Sequence, residues 1–191
     1  SSMNYAVKVT NIYACMDTDT VRVNVFPLPI ADAGSDTTIC PNTQAYLHAS
    51  GGDSYLWRPP YGLDYDSISN PIASLDSSST QYIFEVMLGF FKLNDTMVVS
   101  VDTSVHANFT LDPDSGTIFL PVQFTNGSRG AIAYQWSFGD GLAISNALNP
   151  SHIYTMPGEF TVVLISRNAR GCTDTATYTV VKAESQSALW I

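Results

Sequence analysis

Trp57 and Trp136 lie 79 residues apart, and the same interval separates Asn70-Pro71 from Asn149-Pro150 and Asp95-Thr96 from Asp174-Thr175. One spacing shared by three pairs of this kind marks two related modules in succession, because self-similarity at a fixed period is the signature of repeated folding units. The head of the chain follows the same scheme. Asn11, Cys15, Asp17 and Thr18 return as Asn168, Cys172, Asp174 and Thr175, each 157 residues later and close to twice the shorter interval. Residues 5–26 therefore read as the last two strands of a third module whose front half is cut away. Tyr5, Val7 and Val9 alternate along one strand, and Val21, Val23 and Val25 along the next. The run Phe26-Pro27-Leu28-Pro29 reads as a linker. Ser1-Ser2-Met3 reads as a vector-derived head on a piece of a longer protein.

What each module can be is set by short alternating strands and by turn residues. No 12-residue window carries an apolar stripe at helical spacing, and Thr, Ser, Val and Tyr favour strands. A hydrophobic content of 45 % suffices for packed cores. Two sandwiches of about 100 residues each would fill most of the 191 residues. The first complete module spans 30–102, with strands expected at 45–49, 55–57, 81–87 and 96–101. The second spans 103–184, with strands at 122–125, 133–137 and 159–164. Asn126-Gly127, Gly139-Asp140-Gly141 and Pro157-Gly158 supply turns between them. Residues 1–29 are the partial module and its linker, and residues 185–191 are a linker to a further C-terminal domain. The expected class is all-β, with tandem Ig-like sandwich modules.

The two tryptophans are expected between the sheets of their modules, each burying on the order of 150–250 Å². Tyr134 and Phe138 share the strand face of Trp136. Tyr154 and Phe160 complete the expected core set with Trp57 and Trp136. An exposed indole stacking on a sugar is the alternative.

The second module carries Tyr134-Gln135-Trp136-Ser137-Phe138-Gly139-Asp140-Gly141, then Asn149-Pro150-Ser151-His152-Ile153-Tyr154, then Pro157-Gly158-Glu159-Phe160-Thr161-Val162. It resembles the PKD domain, a β-sandwich family, with Phe160 where a tyrosine is more usual. The motif residues fit structural roles. Gly139 and Gly141 permit tight-turn angles, Asp140 can accept N–H groups of its own turn, and Pro157-Gly158 suits a type II turn.

The first module carries residues 31–41 from Ala31-Asp32-Ala33 to Cys40-Pro41, then Gly51-Gly52-Asp53, Trp57, Gly62-Leu63 and Asn70-Pro71. It resembles divergent Ig/PKD-like repeats of Bacteroidetes surface proteins. Such repeats carry a second cysteine late in the module, and Gly89-Phe90-Phe91-Lys92-Leu93 occupies that region without one. The resemblance thus implies that Cys40 has no late partner, Cys172 no early one, and Cys15 a partner outside the sequence. Three free thiols are expected, buried and inert, with no intrachain disulfide. Ala188-Leu189-Trp190-Ile191 resembles the segment before the gliding-motility-associated C-terminal domain of type IX secreted proteins. Together these resemblances imply an exported protein at the outer cell surface.

The net charge of −9 opposes binding to nucleic acid and to anionic membranes, and no run of 18 apolar residues exists to span one. The acidic residues are spread over loops. Asp32 and Asp36 at the start of the first module, Asp112 and Asp114 early in the second, and Asp64 and Asp66 either cap turns or offer oxygens to Ca²⁺. A bound cation would rigidify the junction near Asp32. Asp19-Thr20, Asp95-Thr96 and Asp174-Thr175 resemble the Bacteroidetes O-glycosylation motif at Thr20, Thr96 and Thr175, and they also read as the start of each closing strand.

No Gly-x-Ser-x-Gly, His-Glu-x-x-His or close carboxylate pair is present, and His48, His106 and His152 are scattered. The chain is expected to be non-catalytic. Two functions remain: a stalk or adhesin segment that spaces and presents its neighbours, contacting surface proteins or glycans, and a carbohydrate-binding accessory module of a secreted hydrolase. The second requires exposed aromatics in a flat row, for which Tyr61 and Tyr65 are the candidates. Neighbouring modules are the expected partners, and residues 5–26 offer unpaired edges for strand pairing with another chain.

Overall fold

A computed structural model describes residues 2–25, 30–141 and 144–184. The expected linker at 26–29 and the tail at 185–191 lie outside the described residues. Regular structure within them is all strand, with no helix. Among the described residues no helix is long and apolar enough to cross a membrane.

A hairpin opens the chain. Strands β1 (Met3–Thr10) and β2 (Met16–Val23) pair antiparallel from Met3 opposite Val23 to Thr10 opposite Met16. Asn11 shapes the turn, because its side-chain oxygen accepts the N–H groups of Tyr13 and Cys15 at 2.9 and 3.0 Å. β2 begins earlier than the expected strand and ends before Val25. Every residue of both strands is exposed.

Next come β3 (Thr37–Ile39), β4 (Thr43–Tyr46), β5 (Ser54–Arg58), β6 (Ile72–Leu75), β7 (Thr80–Leu88) and β8 (Phe91–Val101). They form sheets in the orders β3-β8-β7-β5 and β4-β6. The strand expected at 45–49 stops at Tyr46. Leu47 and Ala49 instead donate their N–H groups to Pro71 and Ser69 outside any regular ladder. β8 starts at Phe91 rather than Thr96, so Gly89 and Phe90 are the turn of a long hairpin.

The remaining strands are β9 (Phe109–Asp112), β10 (Ser115–Thr117), β11 (Pro121–Asn126), β12 (Ala133–Ser137), β13 (Ile144–Ser145), β14 (Ser151–Ile153), β15 (Gly158–Arg167) and β16 (Thr173–Ala183). Their sheets run β10-β16-β15-β12-β13 and β14-β11-β9.

The chain divides into two compact units. The first comprises Ser1–Gly34, Leu47–Pro71 and Tyr82–Met97, and the second Ser35–Tyr46, Ile72–Gln81 and Val98–Ile191. In the first, Trp57 packs on Phe84 and Tyr82. In the second, Phe109, Val122 and Phe124 of one sheet meet Trp136, Val162, Leu164 and Val180 of the other. That arrangement is a β-sandwich, with inward side chains alternating along each strand.

The cysteines depart from expectation. Cys40 and Cys172 form a disulfide within the second unit, with Cα atoms 5.2 Å apart. Cys15 is free, but exposed rather than buried. Cys40 and Cys172 stand in different modules of the repeat, so the pairing lies outside any single module. Cys40 follows β3 and Cys172 precedes β16, and the fold brings these two strand ends together.

Candidate functional site

The 79-residue interval is written in hydrogen bonds as well as letters. The indole N–H of Trp57 donates to the Ile68 carbonyl at 2.9 Å, and that of Trp136 donates to the Ala147 carbonyl at 2.9 Å. Tyr55 donates its hydroxyl proton to the Gly52 carbonyl, as Tyr134 does to Ala131. Asp95 accepts the Ala33 N–H at 2.8 Å, and Asp174 accepts the Ala107 N–H at 2.7 Å. A paired indole N–H lets the whole ring be buried without an orphaned donor. Each aspartate ties the entry of its module to a closing strand.

The Gly139-Asp140-Gly141 turn is exposed at both glycines, while the Asp140 side chain turns inward and is only 5 % exposed. Gly139 has φ +84°, and a Cβ there would stand 2.5 Å from the Thr161 carbonyl oxygen, so glycine is required. Asp140 does not serve only its own turn, because its Oδ2 lies 2.6 Å from Nε2 of His152. The imidazole stacks on Phe138 at 4.2 Å and meets Tyr154 edge-on at 4.7 Å. Tyr154 donates its hydroxyl proton to the Phe138 carbonyl at 2.9 Å. Burial, aided by the Asp140 charge, pushes the Tyr154 hydroxyl well above its ordinary pKa. These groups hold one another.

A second constellation surrounds the cystine. Asn168 folds the turn before β16, accepting the N–H groups of Arg170 and Cys172 on its side-chain oxygen. Its amide nitrogen donates to Asp102 Oδ2 at 3.0 Å and to Ser104 at 3.2 Å. Asp102 donates its own N–H to the Ile39 carbonyl beside Cys40 and faces Arg170 Nε at 3.5 Å. The Ser104 hydroxyl and N–H, then Asn168 and Arg170, hold the Asp102 carboxyl below its ordinary range against desolvation. Asp102, Asn168 and the cystine thus fasten the segment around 102–104 to the ends of β3 and β16. Sequence reasoning missed this junction. Its signal was that Cys40 lacks a late partner and Cys172 an early one.

Lys182 is a separate anomaly. It is 2 % exposed in β16, and its ammonium has no hydrogen-bond partner. Burial pushes its pKa down.

The anticipated site residues fall as follows. Trp57, Trp136 and Tyr154 are fully buried, and Phe160 lies in the core of the second unit. Asp32 accepts the Gly34 N–H, Asp36 accepts the Val98 N–H, and Asp114 bonds the Ser115 hydroxyl. Asp112 stands opposite Gln123 in β9. Among the described residues no group of three or more His, Cys, Asp or Glu side chains is placed to hold a metal ion. The fold therefore does not gather these four aspartates into such a group. Tyr61 and Tyr65 are 52 % and 65 % exposed. Thr20, Thr96 and Thr175 are exposed in β2, β8 and β16, each directly after its aspartate.

Residues 101–182 match the family model described as the PKD domain. This stretch is similar to a PKD domain. The match takes in the Trp136 core, the Gly139-Asp140-Gly141 turn and the closing strands β15 and β16. Collagenase ColA of Bacillus cereus is 39 % identical over 64 residues, 31 % of this chain and 7 % of that protein. Polycystin-1-like protein 1 of Homo sapiens is 31 % identical over 78 residues, 40 % of this chain and 3 % of that protein. The chain thus spans under a tenth of the length of these curated relatives. Among solved structures, the PKD1 domain of Vibrio anguillarum Epp is 32 % identical, covering 44 % of this chain and 99 % of that one, with a TM-score of 0.39.

Proposed function

We propose that the chain is a non-catalytic extracellular stalk or adhesin segment, whose modules space and present neighbouring parts of a longer exported protein of the Bacteroidetes type IX class. The cystine between Cys40 and Cys172 carries this reading. A bond that reaches from the segment after β3 to the start of β16 braces the second unit, and disulfides persist in oxidising, exported environments. The polar groups of the PKD-like module support it further, because His152, Asp140 and Tyr154 are committed to one another inside the fold. The resemblances at residues 31–41 and 188–191 supply the Bacteroidetes assignment.

The test is replacement in the parent protein. Deleting residues 30–184 should leave export intact and abolish engagement of a surface-immobilised ligand. An unrelated tandem sandwich of equal length should restore it. Failure of that rescue would mean the chain makes a specific contact of its own.

One observation favours a second reading, the carbohydrate-binding accessory module. Tyr61 and Tyr65 present exposed rings near Pro59-Pro60. Retention on insoluble polysaccharide that is lost on Tyr61→Ala and Tyr65→Ala would select it over the spacer.

A further inference from the structure

The opening hairpin repeats β15 and β16 bond for bond at an offset of 157 residues. Thr10 faces Met16 as Arg167 faces Thr173, and Val9 faces Asp17 as Ser166 faces Asp174. Asn11 Oδ1 accepts from Tyr13 and Cys15, as Asn168 Oδ1 accepts from Arg170 and Cys172. Ala14 donates to the Asn11 carbonyl, as Gly171 does to Asn168. Ala14 even holds a left-handed φ of 63° where Gly171 has 92°. A non-glycine residue kept there is strained, which marks the turn as specified rather than incidental.

The faces correspond as well. In the PKD-like module, Phe160, Val162, Leu164 and Val180 line the inner face of β15 and β16 and pack with Phe109, Phe124 and Trp136. Their equivalents in the hairpin are Met3, Tyr5, Val7 and Val23, which stand 44–65 % exposed. The opposite face carries Asn4, Ala6, Lys8, Thr18, Thr20 and Arg22, while Asp19, opposite Val7, shares the apolar face at the place of Ala176. This is the patterning of a sheet with one buried side. Asp17 also occupies the place of Asp174, whose carboxylate receives the N–H of the entering Ala107.

We propose that the hairpin is the closing pair of a further sandwich module, and that its apolar face takes the front half of that module, supplied by the residues preceding it in the same polypeptide. The occupant has the chemistry of β9, β11 and β12: a tryptophan set between phenylalanines, and an entering backbone N–H for Asp17. The proposal rests on the modular reading but not on what the modules present.

The experiment compares residues 1–191 with the same polypeptide extended by its own preceding ~80 residues, the length of one module. Amide exchange at Tyr5, Val7, Val21 and Val23 should slow by roughly 100-fold or more in the extended chain, as expected when an open hairpin joins a cooperative core. The Cys15 thiol, reactive toward a disulfide reagent in residues 1–191, should become sheltered. Exchange that stays equally fast in the extended chain overturns the proposal. So does concentration-dependent protection of residues 1–191 that Val7→Asp abolishes, since the occupant is then a second copy. Neither readout involves a presented ligand, so failure here leaves the spacer reading standing.

Discussion

Cys172, directly before β16, is bonded to Cys40, directly after β3, across 132 residues of chain. A cross-link over so long a loop removes much of the freedom of the unfolded chain. The double substitution Cys40→Ser and Cys172→Ser should therefore lower stability by about 2–5 kcal/mol. Urea titration of both forms, with and without reductant, checks this. A midpoint that reductant does not move in the native sequence contradicts it.

The paired indoles should matter most to their own units. Trp57→Ala and Trp136→Ala should each cost about 3–5 kcal/mol, as large-to-small changes in closed cores do. Changing Trp136 to Phe keeps a ring but leaves the Ala147 carbonyl without its indole donor. It should cost less than the alanine change. Chemical denaturation followed by tyrosine fluorescence measures all three.

Asp140→Ala should destabilise by about 1–3 kcal/mol, because His152 Nε2 loses its partner inside the fold. His152→Ala on that background should cost less than on the native one. A double-mutant cycle with no coupling would mean the 2.6 Å contact contributes nothing.

Lys182 gives a pH dependence of definite sign. Its folded pKa is depressed, so below that value both states carry the charge and the folded state bears the full desolvation penalty. Between the folded value and the ordinary ~10.4 the unfolded chain holds the extra proton, and stability should rise with pH. Lys182→Met should stabilise at neutral pH by about 1–3 kcal/mol and flatten that rise. An unchanged alkaline slope in the variant would assign it to another group.

The repeat was legible because physical constraints recur with it. An indole in a sandwich needs an acceptor at a fixed place, and an aspartate must catch each module's entering strand. Trp57, Trp136, Asp95 and Asp174 are therefore conspicuous as letters. Strand ends were less legible. β4 stops at Tyr46 because Leu47 and Ala49 find irregular carbonyl partners, and no local propensity encodes that. Short strands such as β3, β10 and β14 have three residues each, too few for a period to show. The cystine was hidden for a different reason. Its halves are separated by the whole stretch that local reading treats as independent, and only tertiary geometry pairs them. Lys182 was unreadable for the same reason, as its neighbours along the strand are ordinary.

The bond between Cys40 and Cys172 also sets how the chain answers a pull on its two ends. Tension entering before residue 40 passes through the sulfurs to residue 172 without loading the backbone in between. The bypassed 132-residue stretch holds about 450 Å of contour at full extension. While the bond stands, that length cannot be drawn out, whatever unfolds between the two sulfurs. Reduction would release that whole length at once.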